Sequence, residues 1–410
     1  LYLNNRHIWR GSRIQAIKSV KQNHQPSAEI LYLLEQFRLM VNDCIRIGLE
    51  ANVTSLKSLS SKAYHNLADY DAPSYYKLCA ISRACGVLAS RKKSLKRGIY
   101  TRSPYAVKPQ LVSCYGFKLI DNALRVPLGH HRFFRIPLNK YTQEILCDPA
   151  LRVRSFTLTA SQMSICISKE VQQIECTKTA GVDRNLRNIT YGNEEHIEQY
   201  DLSKAINITK RTRKIVAAFR RNDVRIRKKI ASKYGRRRKN RISRLLHCAT
   251  KTIVETAIEN REAIVIEDIK GIRKLYQKGN GQGRRYRSMM NSWSFGEVQR
   301  QIEYKANWSG IPIIRLTKGE TMGTSTICPI CGERLLNGRN RMLWCISCGM
   351  KADRDVVAVI NQSRRGRVRF ARSLPTDKGA KGGAVEAVMG NPTTTVILGV
   401  DALKLSHQKT

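Results

Sequence analysis

Apolar residues along this chain recur with two different periods, and the changes from one to the other divide the sequence before any chemistry is considered. Residues 14–20, IQAIKSV, alternate as a short strand does. The next segment, QPSAEILYLLEQFRLMVNDCIRIGLEAN, spaces Ile30, Leu33, Leu34, Phe37, Val41, Ile45 and Leu49 three and four apart, which predicts an amphipathic helix. A second helix is predicted over 73–97, with Pro73 and Ser74 at its start and a cationic last turn before Gly98. Between 107 and 170 the period returns to two in short runs, YGFKLID, LRVPL, FFRIPL, SFTLT and MSICIS, the last two joined by a tight connection. These runs predict a small barrel-like β-domain after an N-terminal helical bundle.

From residue 178 the segment KTAGVDRNLRNITYGNEEHIEQYDLS reads as three strands joined by two turns, and helices follow. Residues 210–244 hold 17 Lys and Arg against the single acid Asp223, over an interrupted apolar stripe of Ile215, Phe219, Ile226 and Ile230. Gly235 is expected to divide this stretch from a better amphipathic helix carrying Ile242, Leu245, Leu246, Ala249, Ile253 and Ala257. The apolar strand AIVI then ends in Glu267 and Asp268. The glycines of QKGNGQGRRYRS do not stand between a strand and a helix as a phosphate cradle requires, so this segment is expected to be a mobile basic loop. Ser294 and Glu297 predict a capping box opening a helix through Trp308, with a further strand over 311–316. Residues 371–410 show no periodic core and read as a disordered tail.

Charge narrows the function. Lys and Arg number 74 against 31 Asp and Glu, a net +43, and a chain repelling itself so strongly is best accommodated with a polyanion bound. An anionic membrane face seldom requires a basic excess along a whole chain, so nucleic acid is the expected partner. The 17-cation stretch would supply strong, sequence-blind attraction to a phosphate backbone, although a charge run taken alone is more often a solvated helix face. The first thirty residues lack the apolar stretch of a signal peptide, no run approaches the ~18 apolar residues of a membrane span, and most of the cysteines are scattered. Reduced thiols and a soluble, cytoplasmic protein are expected. The chain opens on Leu1 rather than Met, as a partial reading frame would.

Of the twelve cysteines, Cys328 with Cys331 and Cys345 with Cys348 form two CxxC knuckles separated by thirteen residues. Four thiolates close a tetrahedral Zn²⁺ shell with no open position, which predicts a structural ribbon rather than a redox pair or a hydrolytic zinc. His130 and His131, in GHHRFF, have no nearby cysteine or carboxylate to complete a metal site and read as loop or nucleic-acid contacts. Three acids stand at element ends: Asp183 in the first strand of the meander, Glu267 closing AIVI, and Asp355 opening the apolar run VVAVIN. Such acids are often only caps. If their elements are neighbours in one sheet, however, three carboxylates converge, and their repulsion is relieved by divalent cations. Mg²⁺, as a pair of ions, suits hard oxygen ligands and substrate phosphate, and that arrangement predicts nucleic-acid hydrolysis.

The order GVDRN at 181–185, IVIEDIKG at 264–271, GTSTICPIC and CISCG around the knuckles, and ADRDVVAVIN at 352–361 resembles the transposon-encoded TnpB nucleases, whose relatives are the compact type V CRISPR effectors. The resemblance covers residues 178–365 specifically and the N-terminal part more loosely. It implies an α+β multidomain, RNA-guided DNA endonuclease with a split RuvC-like, RNase H-like domain and a zinc ribbon inserted before its last acid. By motif, Asp183, Glu267 and Asp355 would be the catalytic Mg²⁺ ligands, with Asp353 and Asp268 in supporting or capping roles. The implied domains are a wedge-like β-domain over 1–26 and 107–177, helical recognition over 27–106, nuclease parts over 178–322 and 351–370, and the ribbon over 323–350. The implied partners are a guide RNA and a double-stranded DNA target with a short flanking motif; for the oligomeric state, which the residues leave open, a monomer is favoured. The pattern departs from the family at Asn185, where glycine is frequent, and at Val357, where asparagine is frequent. Two other readings use the same residues: a guide-independent resolvase or transposase, and a non-catalytic RNA-guided DNA-binding protein whose acids serve only as caps.

Overall fold

The structure is a computed structural model that describes residues 13–373 apart from His130 and Lys270. The first twelve residues of the expected wedge, His130 of GHHRFF, and the expected tail from residue 374 onward lie outside the described residues. The chain forms two compact units, one mainly of residues 17–169 and the other mainly from 170 onward.

The N-terminal unit runs β1 (Arg13–Asn23), α1 (Ala28–Glu50), α2 (Leu56–Ala63), α3 (Ser74–Lys96), β2 (Leu111–Ser113), β3 (Lys118–Ile120), β4 (Ala123–Gly129), β5 (Arg132–Pro137), α4 (Lys140–Leu146), β6 (Arg152–Leu158) and β7 (Gln162–Gln172). Ser27 caps α1 by accepting from the Ile30 N–H at 3.3 Å, and the predicted stripe, from Ile30 to Ile45, is the buried face. Gly98, with φ +72°, stands just beyond the end of α3. The strands form two open sheets, β1–β7–β6–β2 and β3–β4–β5, and neither closes into the expected barrel. Closure needs long ladders between edge strands, and β2 and β3 have only three residues each. His131 occupies the turn between β4 and β5 with φ 58°.

The C-terminal unit contains β8 (Lys178–Arg184), β9 (Asn188–Gly192), β10 (Ile197–Asp201), α5 (Ser203–Ala218), α6 (Val224–Glu259), β11 (Glu262–Glu267), α7 (Arg284–Ser292), α8 (Phe295–Ser309), β12 (Ile313–Leu316), α9 (Lys318–Thr321), β13 (Leu336–Asn337), β14 (Met342–Trp344), β15 (Lys351–Asp353) and α10 (Arg354–Ser373). Its main sheet has the order β10–β9–β8–β11–β12, antiparallel across β10, β9 and β8 and parallel from β8 through β11 to β12. Ala263, Ile264, Val265 and Ile266 are all fully buried, as the unbroken apolar run of a parallel strand covered on both faces requires.

Three local expectations change. Gly235 does not divide the basic stretch, because α6 runs straight through it. A Cβ at Gly235 would touch nothing, and an exposed glycine costs a helix only about 1 kcal/mol, too little to interrupt one anchored by the buried Leu246–Ala257 half. The break falls earlier, where the Asp223 carboxylate accepts from the Arg225 N–H at 2.6 Å and starts α6. The expected capping box at Ser294 is not made: Glu297 instead accepts from Arg300 at 2.7 and 3.0 Å and from Gln301 at 2.9 Å. The Arg300 guanidinium and Gln301 amide outcompete a backbone N–H for that carboxylate, and the box that does form is Thr317 with Glu320, opening α9. The expected basic loop becomes helix at Arg284, where α7 begins.

Helix α10 lies against the sheet at very close range. A Cβ on Gly181 of β8 would stand 2.4 Å from the Val359 carbonyl oxygen and 2.9 Å from Gln362 Cβ, and one on Gly366 would stand 2.2 Å from Val265 Cγ2. Thr179 and Ser363 fasten the same contact, with Thr179 Oγ1 donating to the Ser363 carbonyl at 2.9 Å and Ser363 Oγ to the Thr179 carbonyl at 2.6 Å. Gly181→Ala is therefore expected to push α10 off the sheet and to destabilise the protein by about 1–3 kcal/mol, read as a lowered thermal midpoint. Among the described residues, no helix is long and apolar enough to cross a membrane.

Candidate active site

Strand register brings the first two acids together. Ile266 of β11 pairs with Val182 of β8 in a parallel ladder, so Glu267 and Asp183 come one rung later on the same face, with strands ~4.8 Å apart. The third arrives from α10, whose first turn contains Asp355. The Asp183 and Asp355 carboxyls share a hydrogen bond, and Glu267 is close enough for its charge to act on Asp183. Register thus sets Asp183 and Glu267 at the carboxyl ends of two adjacent parallel strands, and Asp355, from the first turn of α10, lies within interaction range of Asp183.

Burial, then the charges of Glu267 and Asp355, push the Asp183 carboxyl up to about 7, against the opposing donation from Asn185 Nδ2 at 2.6 Å. Burial raises Glu267 as well, opposed by the neighbouring Arg184 guanidinium and by Gln362 Nε2, which donates at 2.7 Å. A carboxyl raised first by burial and then by neighbouring carboxylates is one whose charged form a cation would favour. Its oxygens are hard donors, and the buried Gln362 Oε1 beside Glu267 has no hydrogen-bond partner among the described residues. The residues present therefore fit hard divalent cations such as Mg²⁺.

Asp353, expected as a support, accepts from the Asp355 N–H at 2.7 Å and caps the turn. Asp268 donates its N–H to the Leu316 carbonyl at 3.1 Å and faces the buried Arg184. Pattern reading missed four participants. Asn188 Nδ2 donates to Asp355 Oδ2 at 3.0 Å, Gln362 holds Glu267, and Arg184 donates to the Glu267 carbonyl and, at 2.9 Å, to Gln299 Oε1. Arg341 forms an ion pair with Asp355. Asn188 and Gln362 could have been found, the first opening the strand after Asp183's and the second two helical turns after Asp355. Arg341, inside the ribbon, carries no such signal.

The ribbon is assembled as its spacing predicts. The sulfurs of Cys328, Cys331, Cys345 and Cys348 all lie within 4.8 Å of one another, with Cys328 to Cys348 at 3.5 Å and Cys331 to Cys345 at 3.3 Å. A tetrahedron with Zn–S bonds of ~2.3 Å has edges of ~3.8 Å, so the cluster fits Zn²⁺ with little adjustment. The two knuckles repeat one geometry: Gly332 donates to the Cys328 carbonyl and Gly349 to that of Cys345, both at 3.0 Å and both glycines left-handed. Behind them Cys328, Leu335, Leu343 and Cys345 pack with Val357 of α10. Val357, one of the two departures noted in the sequence, therefore fills the joint between the ribbon and the helix bearing Asp355. Asn361 adds donations at 2.8 Å to the Thr324 and Ile327 carbonyls.

A second surface is electrostatic. Over residues 224–241, α6 carries ten Lys and Arg and no acid, and its side chains are exposed or half-exposed throughout. At 100° per residue these cations fall on every side of the helix, which suits a phosphate backbone better than a protein partner. Replacing Arg236, Arg237, Arg238 and Lys239 with alanine is expected to weaken nucleic-acid binding without sequence preference. The slope of log affinity against log salt should become shallower by up to about 0.9 per lost phosphate contact, measured by filter binding across a salt series.

Residues 295–362 match the Cas12f1-like TNB domain family. A TnpB-like protein of Methanocaldococcus jannaschii is 32% identical over 190 residues, which cover 44% of this chain and 66% of that protein, so the match spans just under two thirds of the relative's length. A cryo-EM structure of a Cas12f1–sgRNA–target DNA complex is similar in fold, with a TM-score of 0.55 at 15% identity, covering 82% of each chain. The likeness extends through most of the α+β multidomain architecture described above.

Proposed function

Starting from this chain's membership of the TnpB and compact type V family, we propose that it is an RNA-guided DNA endonuclease of the type V kind. The main sheet, a three-strand antiparallel meander followed across helices by two parallel strands, supports a RuvC-like, RNase H-type assignment for residues 178–322 and 351–370. The observation that carries the reading is the meeting of Asp183, Glu267 and Asp355 from three separate elements. In this reading the three carboxylates would hold a pair of Mg²⁺ ions and the four cysteines one Zn²⁺. Bound there, Mg²⁺ would supply Lewis-acid polarisation of a phosphodiester and a nucleophilic water at neutral pH.

The chain's own residues prepare that site. Asn185 fixes the Asp183 carboxylate, Asn188 that of Asp355 and Gln362 that of Glu267, so each is oriented by an amide that adds no charge. Arg184, buried among them, offsets part of the negative charge and ties the end of β11 to α8 through Gln299. The ribbon, packed on Val357, fixes the turn that carries Asp355. The cationic arm of α6 grips backbone, and base pairing between a guide RNA and one DNA strand supplies the specificity that such contacts lack. A short flanking motif is read by the N-terminal unit, and the protein acts as a monomer on the nucleoid in the cytoplasm.

The direct test is purification under nuclease-free conditions with sequencing of any RNA retained. A discrete, tightly bound RNA and cleavage only of DNA matched to it are expected. Full cleavage by RNA-free protein would instead establish a guide-independent resolvase.

A further inference from the structure

The chain already supplies a cation to Asp355. Arg341 pairs with Oδ1 of this carboxylate and Asn188 donates to Oδ2, so both oxygens are engaged. The two partners differ in kind: Asn188 is neutral and opens strand β9 of the main sheet, whereas Arg341 is charged and comes from the ribbon. The ion pair is also lopsided, with the Asp355 side chain 4% exposed and that of Arg341 52% exposed. One end is fixed by the fold, and the other already stands half in solvent.

Arg341 sits on a turn suited to movement. Asn340 and Arg341 are consecutive left-handed residues, φ 54° and 69°, between β13 and β14, and neither is glycine. The neighbouring strand pairing of Leu343 with Ala352 is buried in the ribbon core, so the turn can change while the ribbon stays closed.

We propose that Arg341 gates the carboxylate cluster: in the chain free of nucleic acid it holds Asp355 and opposes divalent-cation loading, and an arriving phosphate backbone draws it away. The proposal rests on the nuclease reading above. A guanidinium on Oδ1 takes up one of the lone pairs that a divalent cation would use, and a positive charge at that distance lowers the affinity of every cation bound by the cluster. A phosphate offers Arg341 the same forked acceptor that the carboxylate does, so the exchange conserves its hydrogen bonds. Metal loading and substrate binding then become linked, each favouring the other by the same factor.

The test is calorimetric titration of Mn²⁺ into the full chain freed of nucleic acid, for wild type, Arg341→Gln and Arg341→Lys. Arg341→Gln is expected to bind Mn²⁺ about tenfold tighter than wild type, with Arg341→Lys close to wild type. A short non-cleavable oligonucleotide should tighten Mn²⁺ binding to wild type by about tenfold more than it tightens binding to Arg341→Gln, where only the phosphate's own ligation contributes. Equal affinities in wild type and Arg341→Gln overturn the gate while leaving the nuclease reading standing. Mn²⁺ binding that is absent in all three proteins, or unaffected by Asp183→Asn, overturns both.

Discussion

Asp183→Ala is expected to reduce metal-dependent DNA cleavage by about 10³-fold or more while leaving guide RNA and target DNA binding essentially intact. Asp183 is the centre of the acid cluster: it bonds to Asp355, receives the Asn185 amide, and feels the charge of Glu267. Its loss removes a metal ligand and leaves the other two without their common neighbour. Binding should persist, because affinity comes from Lys and Arg spread over the chain rather than from an acid that repels phosphate. The metal-free variant should melt no lower than wild type, since deleting one of three crowded carboxyls relieves repulsion. Those two controls separate lost chemistry from lost folding. Undiminished cleavage by Asp183→Ala would remove the carboxylates from the mechanism and return them to the role of caps.

Cys345→Ser is expected to abolish most bound zinc and most cleavage together. Cys345 is fully buried, donates its N–H to the Met350 carbonyl at 2.9 Å, and packs beside Val357. The ribbon's own apolar core is too small to fold unaided, and a structural zinc contributes on the order of 10–16 kcal/mol of apparent folding free energy in comparable peptides. Without it the joint around Val357 opens, and the first turn of α10, with Asp355, loses its register against β8. Serine at the exposed Cys147 or Cys248 should leave both quantities unchanged. Metal analysis and cleavage of a matched target on the same preparations check this, and a zinc-free variant that cuts at the wild-type rate would uncouple the ribbon from the active site.

Much of the architecture was legible where a segment's period and ends agreed. The stripe from Ile30 to Ile45 and the unbroken AIVI run state their own burial, because a helix face and a doubly covered strand admit little else. Where local signals compete, pattern reading failed. Ser294 and Glu297 have the spacing of a capping box, but Arg300 and Gln301 take the carboxylate. Gly235 resembles a stop, yet the buried half of α6 carries the helix through it. Five short runs between 107 and 170 read as one barrel because strand pairing is non-local, and pairing put them into two open sheets.

The sequence by itself determined the four-cysteine cluster, since two CxxC knuckles at that spacing bring four thiols within reach of one ion through short loops alone. It pointed to a polyanionic partner through a net charge of +43, a sum set by composition alone. It also nominated Asp183, Glu267 and Asp355, though only as acids at the ends of elements. Their meeting was decided by tertiary structure: parallel register set Glu267 beside Asp183, and the bare backbone of Gly181 let α10 approach closely enough to deliver Asp355. The Arg341 contact was decided there too, because a side chain crossing from the ribbon to the first turn of α10 follows from packing and has no period to betray it.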